Sequence, residues 1–406
     1  MSPPPPSKGY GQHAQHEGGP VRADDKRTAR IAAGEVMHRR SGTSTRGLAS
    51  GAAFVPTLHS GSTVRIALCV PTHGREGIWA PSCLACAELA VTEVNATTGI
   101  AGRPCDVLTV AASDDSPDIE DTLVELVENG DVDALVGMHL SSVRQRISAS
   151  VGGRLPYVFT SLYEGGDRTP GLYAIGETAQ RQLRPSITWL MANRRPMRWA
   201  LVGNDFVWPR VSHNIARQCI NSCGGSVQTE IYVPLGTSDY TQVFDTLRST
   251  RSEAILLSLI GQDAVDFNRA FAQDGLQGSV LRLSCAIEEN QLLAIGADGC
   301  DDLHVAMGYF AALDTDANGA FKERYHSHFG DRAPTLNSIG QSLYEGIHFL
   351  AALLNDKHGG PPMGRNRQPM AYRSARGALR FGNGVSSAPM YLARAHGHHF
   401  RVIARI

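Results

Sequence analysis

Twice along this 406-residue chain, short apolar runs alternate with longer amphipathic ones. That rhythm restricts the fold more than any other feature. In the first run, strands are predicted at 64–70, 105–111, 134–136, 156–160 and 172–175, with helices at 81–96, 118–128 and after 142. The rhythm then restarts. Helices at 181–193, 210–222, 240–250 and 264–273 alternate with strands at 199–202, 227–233, 254–259, 280–284 and 303–307. Strand–helix alternation with short loops implies a parallel sheet covered on both faces. The expected fold is therefore α/β, with two doubly wound parallel-sheet lobes joined by a multi-strand hinge. Two further helices, 317–329 and 338–354, are placed back on the first lobe, and 377–406 reads as a meander of short alternating strands. The expected division is a tail over 1–62, a first lobe of 63–178 plus 308–356, and a second lobe of 179–307 plus 357–406.

Ligands of open α/β sheets bind just beyond the carboxyl ends of the strands. The stretch from Asp131 to Gly165 supplies two such ends: a strand closing at Gly137 before a polar turn at 139–142, and a strand closing before Thr160-Ser161-Leu162-Tyr163. Both loops carry hydroxyls, and Ser141 or Ser142 is placed to cap the following helix. These loops are read as half of a small-molecule pocket in a cleft that closes by hinge motion.

Bulk composition narrows the function. A formal net charge of -1 gives no electrostatic reason to bind a nucleic-acid backbone or an anionic membrane. No apolar run approaches the ~20 residues that span a bilayer. The segment before Ser62 is rich in Pro, Gly, Ser and charge, so a flexible tail is expected there. It lacks the charged start and apolar core of a signal peptide. The nearest candidate, 48–55, is short and weakly apolar, and a start at Met37 leaves that core equally poor. A cytoplasmic location is therefore expected. The eight cysteines are read as buried thiols rather than disulfides or metal ligands. Cys83-x-x-Cys86 has no second pair, and His396, His398 and His399 have no acidic or thiol partner nearby, so no metal is expected. The G-x-S-x-G, H-E-x-x-H and G-x-x-x-x-G-K motifs are absent; neither catalysis nor a cofactor is expected.

Several runs carry a resemblance. V-R-I-A-L, A-E-L-A-V-T-E-V-N-A-T-T-G-I-A-G-R-P and A-L-V-G-M-H-L-S-S are similar to the type I periplasmic-binding-protein fold, which includes binders of branched-chain amino acids and urea. L-Y-E-G at 162–165, G-N-D-F-V-W-P-R at 203–210, G-G-S-V-Q-T-E-I-Y-V-P-L at 224–235 and Y-F-A-A-L-D-T at 309–315 resemble the amide-sensing negative regulators of aliphatic amidase operons. That resemblance implies a non-enzymatic cytoplasmic sensor. It would hold a short amide or similar polar solute between its lobes and regulate expression through an RNA-binding antiterminator protein. It implies no direct contact with nucleic acid or membrane and allows a homo-oligomer. The alternative is the substrate-binding component of an ABC importer for urea, amides or branched-chain amino acids.

The resemblance also nominates residues. Ser141 matches a family serine that contacts the amide, or serves only as a cap. Ser161 replaces a ligand-binding threonine and keeps its hydroxyl. His139 and Phe159 stand where the family has tyrosines; His139 brings a group that titrates near neutral pH or is a surface loop histidine, and Phe159 is either wall or core. Tyr163 keeps the family residue, lining the cleft or supporting the turn. Phe206 and Trp208 replace two tyrosines of the second lobe, so that side is still aromatic but less polar. Trp79 follows the first strand and could cover the cleft. Glu288, with Glu289, begins a loop or helix where amino-acid binders place a carboxylate for the ligand amine; the other reading is a solvated helix start.

Overall fold

A computed structural model describes Phe54, Pro56, residues 58–356 and residues 369–406. In chain order the elements of the first lobe are β1 (Val64–Val70), α1 (Ala80–Asn95), β2 (Cys105–Ala111), α2 (Ile119–Glu128), β3 (Ala134–Gly137), α3 (Ser141–Val151), β4 (Tyr157–Phe159) and β5 (Leu172–Ala174). The strands form a five-stranded parallel sheet in the order β2-β1-β3-β4-β5. Strands β1, β3 and β4 are almost wholly buried, as their near-continuous apolar runs require.

The second lobe holds α4 (Ala179–Asn193), β6 (Arg198–Asn204), α5 (Val207–Ser222), β7 (Ser226–Val233), α6 (Thr241–Ser249), β8 (Ala254–Ser258), α7 (Gly261–Gln273), β9 (Leu281–Ser284), α8 (Glu289–Ile295) and β10 (Leu303–Met307). The chain then runs through α9 (Asp316–Phe329) and α10 (Ser338–Asn355), which pack on α1 of the first lobe. Helix α10 is buried on nearly every side, Leu343, Tyr344, Ile347 and Phe349 included.

The last strands are β11 (Met370–Ser374), β12 (Gly377–Gly382), β13 (Val385–Ser386), β14 (Tyr391–His396) and β15 (His399–Arg405). The sequence placed everything after 357 in the second lobe. Only β14 and β15 join that sheet, antiparallel to β10, in the order β15-β14-β10-β9-β8-β6-β7. Strands β11, β12 and β13 form a separate small antiparallel sheet, and β11 lies against α10. Alternation marks these stretches as strands but does not say which sheet they join.

Most of the expected tail lies outside the described residues. Its last residues are tied down: the His59 N–H donates to Asp133 at 2.7 Å, and Arg103 donates to the carbonyls of His59 and Gly61. All eight cysteines are unpaired; Cys223 is half-buried and the others are buried.

Candidate functional site

The carboxyl ends of the parallel strands of both sheets meet around one cavity of about 20 Å³, room for about one water molecule. The first lobe contributes Trp79 from the turn after β1, His139, Leu140 and Ser141 after β3, and Ser161 and Leu162 after β4. The second lobe contributes Phe206 and Trp208 after β6, Ile260 after β8 and Ala286 after β9. Ile339 in the first turn of α10 completes the lining. Six of the residues nominated from the sequence are thus brought together: Trp79, His139, Ser141, Ser161, Phe206 and Trp208. Among the described residues, no Asp, Glu, Lys or Arg lines the cavity.

Ser141 is the first residue of α3, and Leu140 occupies the cap position without a side chain able to cap. Neither nominated serine caps the helix, because each hydroxyl finds a carboxylate instead. Ser141 Oγ donates to Glu164 Oε2 at 2.6 Å, and Ser142 Oγ donates to Asp114 Oδ1 at 2.6 Å. Charge-assisted bonds of this kind are stronger than neutral ones. Glu164 is held in turn by the buried Arg144, which also pairs with Asp167.

His139 is not a titrating loop residue. It is 1 % exposed, and Tyr157 and Phe159 of β4 pack beside its ring. Its Nδ1 faces the Leu140 carbonyl at 3.1 Å, which can only accept, so Nδ1 carries the proton. Nε2 then accepts from the Tyr157 hydroxyl at 2.8 Å. Burial, with Arg144 nearby, pushes its pKa down to about 4, so the ring is neutral. The ring lies over Gly137, where any Cβ would come within 2.6 Å of Nε2; only glycine leaves that space.

Three nominated residues stand behind or away from the lining. Phe159 is fully buried and packs on His139 and Tyr163, with the Arg144 guanidinium 5.5 Å above its ring. Tyr163 is buried, and its hydroxyl accepts from the Asp167 N–H at 2.6 Å; it supports the turn. Glu288 is fully buried and caps α8, accepting from the N–H groups of Asn290 and Gln291 while Gln291 returns a bond to the Glu288 backbone. It is neither in the cavity nor a solvated helix start. Burial, aided by Glu289, raises its pKa to about 8.

In the second lobe, Phe206 caps α5 with extended backbone and stacks on Trp208 at 6.4 Å between centroids. Trp79 and Trp208 are 4 % and 3 % exposed, and the Nε1–H group of each is buried without a protein acceptor.

Outside the cavity, a rim of contacts joins the lobes. Arg75, in the turn before Trp79, pairs with Asp263 and Asp266 of α7. The Gln262 N–H donates to the Arg75 carbonyl at 2.9 Å, and Asn290 Nδ2 donates to the Ile78 carbonyl at 3.2 Å. Gly261, at φ +51°, allows this approach, since a Cβ there would meet the Arg75 carbonyl at 2.5 Å. Sequence reasoning missed Leu140, Leu162, Ile260, Ala286 and Ile339 as lining, although four of them directly follow predicted strand ends. It also missed Arg75, whose partners lie about 190 residues on.

Comparison with known proteins places this architecture. A family described as "Periplasmic binding protein" matches residues 63–397. The chain belongs to that family. Among relatives of this periplasmic binding protein is the Leu/Ile/Val-binding protein homolog 6 of Brucella melitensis, 23% identical over 148 residues, which are 35% of this chain and 37% of the relative. The match thus spans little more than a third of that relative's length. Similar solved structures include an ABC-transporter solute-binding protein from R. palustris in complex with 4-hydroxybenzoate (TM-score 0.74, 15% identity, covering 85% of this chain and 96% of the other). Another is the branched-chain amino acid transporter substrate-binding protein from Streptococcus pneumoniae in complex with isoleucine (TM-score 0.72, 13% identity, covering 84% and 99%). A third, also from R. palustris, is in complex with benzoate (TM-score 0.71, 13% identity, covering 84% of this chain and 96% of the other). At these identities the likeness is one of fold: two lobes, each with its own sheet, and a cleft between them.

Proposed function

We propose that this chain is the solute-binding component of an ABC importer, and that its solute is small, largely apolar and without an ammonium group. The observation that carries this reading is the lining itself. Residues of both lobes enclose a cavity walled by Trp79, Phe206, Trp208, Leu140, Leu162, Ile260 and Ile339, with no acidic side chain among them. A buried ion needs a counter-charge or hydrogen bonds; the lining offers an ammonium no acidic side chain, whereas the indole N–H groups of Trp79 and Trp208 are left to donate to a carboxylate or carbonyl oxygen. Glu288, the residue nominated for that task, is turned into its own helix cap. An aromatic or aliphatic acid, or a neutral solute, suits these walls better than an α-amino acid does. The related solute-binding proteins in complex with benzoate and 4-hydroxybenzoate offer the nearest chemistry.

The present cavity of about 20 Å³ is too small for a benzene ring, so the lobes must sit farther apart than here both while a solute of that size enters and while it is held. Closure over it is then driven by the solute's preference for the closed form.

Titration calorimetry with benzoate, 4-hydroxybenzoate, isoleucine and acetamide tests the reading. Binding of a benzoate without binding of isoleucine is expected; isoleucine as the preferred solute would overturn it. Acetamide as the preferred solute would favour the amide-sensing reading, which draws on the motifs around Ser161 and Phe206 and shares the same cleft. Compartment separates these two readings as well. An importer component works outside the cytoplasm and an antiterminator-linked sensor inside it, so cell fractionation is the companion measurement.

A further inference from the structure

We infer that Trp79 and Trp208 act together as a two-sided donor clamp for the oxygen head group of the solute, a carbonyl or a carboxylate. This rests on the solute-binding reading above and specifies its chemistry. An indole Nε1–H can only donate, and a buried one normally finds an acceptor. Trp199 behaves that way, donating to the Pro196 carbonyl at 2.8 Å. Trp79 and Trp208 do not: both indoles line the same cavity, both are more than nine-tenths buried, and neither Nε1–H has a protein acceptor.

Of the other polar side chains of the lining, His139 and Ser141 are already committed, and the half-buried Ser161 hydroxyl can either donate or accept. Both ring nitrogens of His139 are engaged, by Leu140 and Tyr157. The Ser141 hydroxyl gives its proton to Glu164 and keeps only acceptor capacity. The open hydrogen-bonding capacity of the two indoles is therefore purely donating, and its complement is an oxygen with exposed lone pairs. One indole belongs to the first lobe and the other to the second, so both bonds form only when the lobes are together. The clamp thereby ties recognition of the head group to closure.

The test uses the ¹⁵N-labelled full chain with three probes of one ring size: benzamide, benzoate and benzene. On adding benzamide or benzoate, two of the four indole N–H signals are expected to move downfield. Trp79→Phe and Trp208→Phe, which keep a ring and lose the donor, identify those signals by their disappearance. Each variant is expected to bind the oxygenated probe about 3- to 10-fold more weakly, the range of one neutral hydrogen bond, with benzene affinity unchanged. Comparison of benzamide with benzoate tells whether the head group is carbonyl or carboxylate. Oxygenated probes that bind while both indole signals stay in place would overturn the clamp, as would equal losses for benzene. If none of the three probes binds the unaltered chain, the solute-site reading fails and the clamp fails with it.

Discussion

The two lobes touch on two sides, and the two sides treat buried polar groups in opposite ways. On the cleft side the walls are apolar, and the indole N–H groups of Trp79 and Trp208 are left without protein partners. On the crossover side, charge is packed in and satisfied. Arg376, whose side chain is 4 % exposed, donates from Nη1 to Glu177 at 2.6 Å and from Nε to Glu345 at 2.8 Å. Its own N–H donates to Ser374 Oγ, which donates to Glu345. Glu177 lies in the crossover between β5 and α4, and Gly308, where a Cβ would run into both Glu177 and Arg376, begins the crossover after β10. Arg181 of α4 donates to the carbonyls of Ser386 and Ala388 in the crossover between β13 and β14. One side is thus complete by itself and the other is not. Charges paired within the chain serve to fix geometry; open indole donors beside a cavity are available to a group from outside.

The sharpest way to break this comparison is to open the complete side. Arg376→Met leaves the buried Glu345, 1 % exposed, and the half-buried Glu177 without their cation. Breaking a buried pair from one side costs about 3–5 kcal/mol, and urea unfolding is expected to show a loss of that order. Coulombic attraction to Glu345 and Glu177 overcomes burial and holds the Arg376 pKa far above its ordinary value; the charge is therefore present across the accessible pH range, and the loss should not depend on pH. A loss below about 1 kcal/mol would mean that the crossovers are held by packing instead.

A smaller effect is expected at the rim. Arg75 is about one-third exposed and pairs with Asp263, which is fully buried and also accepts from Asn204 Nδ2 at 2.7 Å and the Gly236 N–H at 2.9 Å. Asp263 therefore keeps two donors when Arg75 is lost. Arg75→Ala should weaken the closed form by about 1–2 kcal/mol, after allowance for solvent screening of the exposed guanidinium. Calorimetry should then read solute binding about 5- to 30-fold weaker, and X-ray scattering a larger radius of gyration without solute. Unchanged values in both would show that closure is governed by the cavity walls alone.

What could be read in the sequence follows the same division. The strand ends were legible because apolar runs are broken at Gly137 and after Phe159, and the fold rule places ligands beyond them. That brought Trp79, His139, Ser141, Ser161, Phe206 and Trp208 to the cavity. Partnerships were not legible. Nothing in the local pattern says that Glu164, 23 residues on, takes the Ser141 proton, or that Tyr157 and Phe159 bury His139 and keep it neutral. Glu288 was a different kind of miss. Its sequence holds a cap signature, an acid followed three residues later by Gln291, but the residue was weighed against ligand chemistry and a solvated helix start, while its complete burial is a tertiary fact. The assignment of β11–β13 to their own sheet is of the same sort, since strand pairing is settled by packing against α10 and not by alternation.

Glu288 also allows the finest test, because it is a complete polar site standing beside the incomplete one. Its folded pKa of about 8 lies above the ordinary 4.5, raised chiefly by burial. The folded chain therefore holds a proton that the unfolded chain releases, so the stability due to this group is full below about pH 4.5 and is lost as pH rises through about 8. Glu289 acts in the same direction, with a pKa raised by burial to about 7. His139 acts oppositely: its pKa of about 4 lies below the ordinary 6.5, so its contribution is present above 6.5 and lost as pH falls through 4. Glu76, likewise raised by burial to about 7, joins the two acids, so between pH 6.5 and 8 three acids slope together and thermal stability should fall. Glu288→Gln removes the titration but leaves one oxygen where the cap uses two, for the N–H groups of Asn290 and Gln291. The variant should be about 1 kcal/mol less stable at pH 5, the cost of part of a cap, and should close or reverse that gap by pH 8. Melting curves across this range check it; a gap that stays constant with pH would assign the slope to Glu289 and Glu76 and leave Glu288 a purely geometric cap.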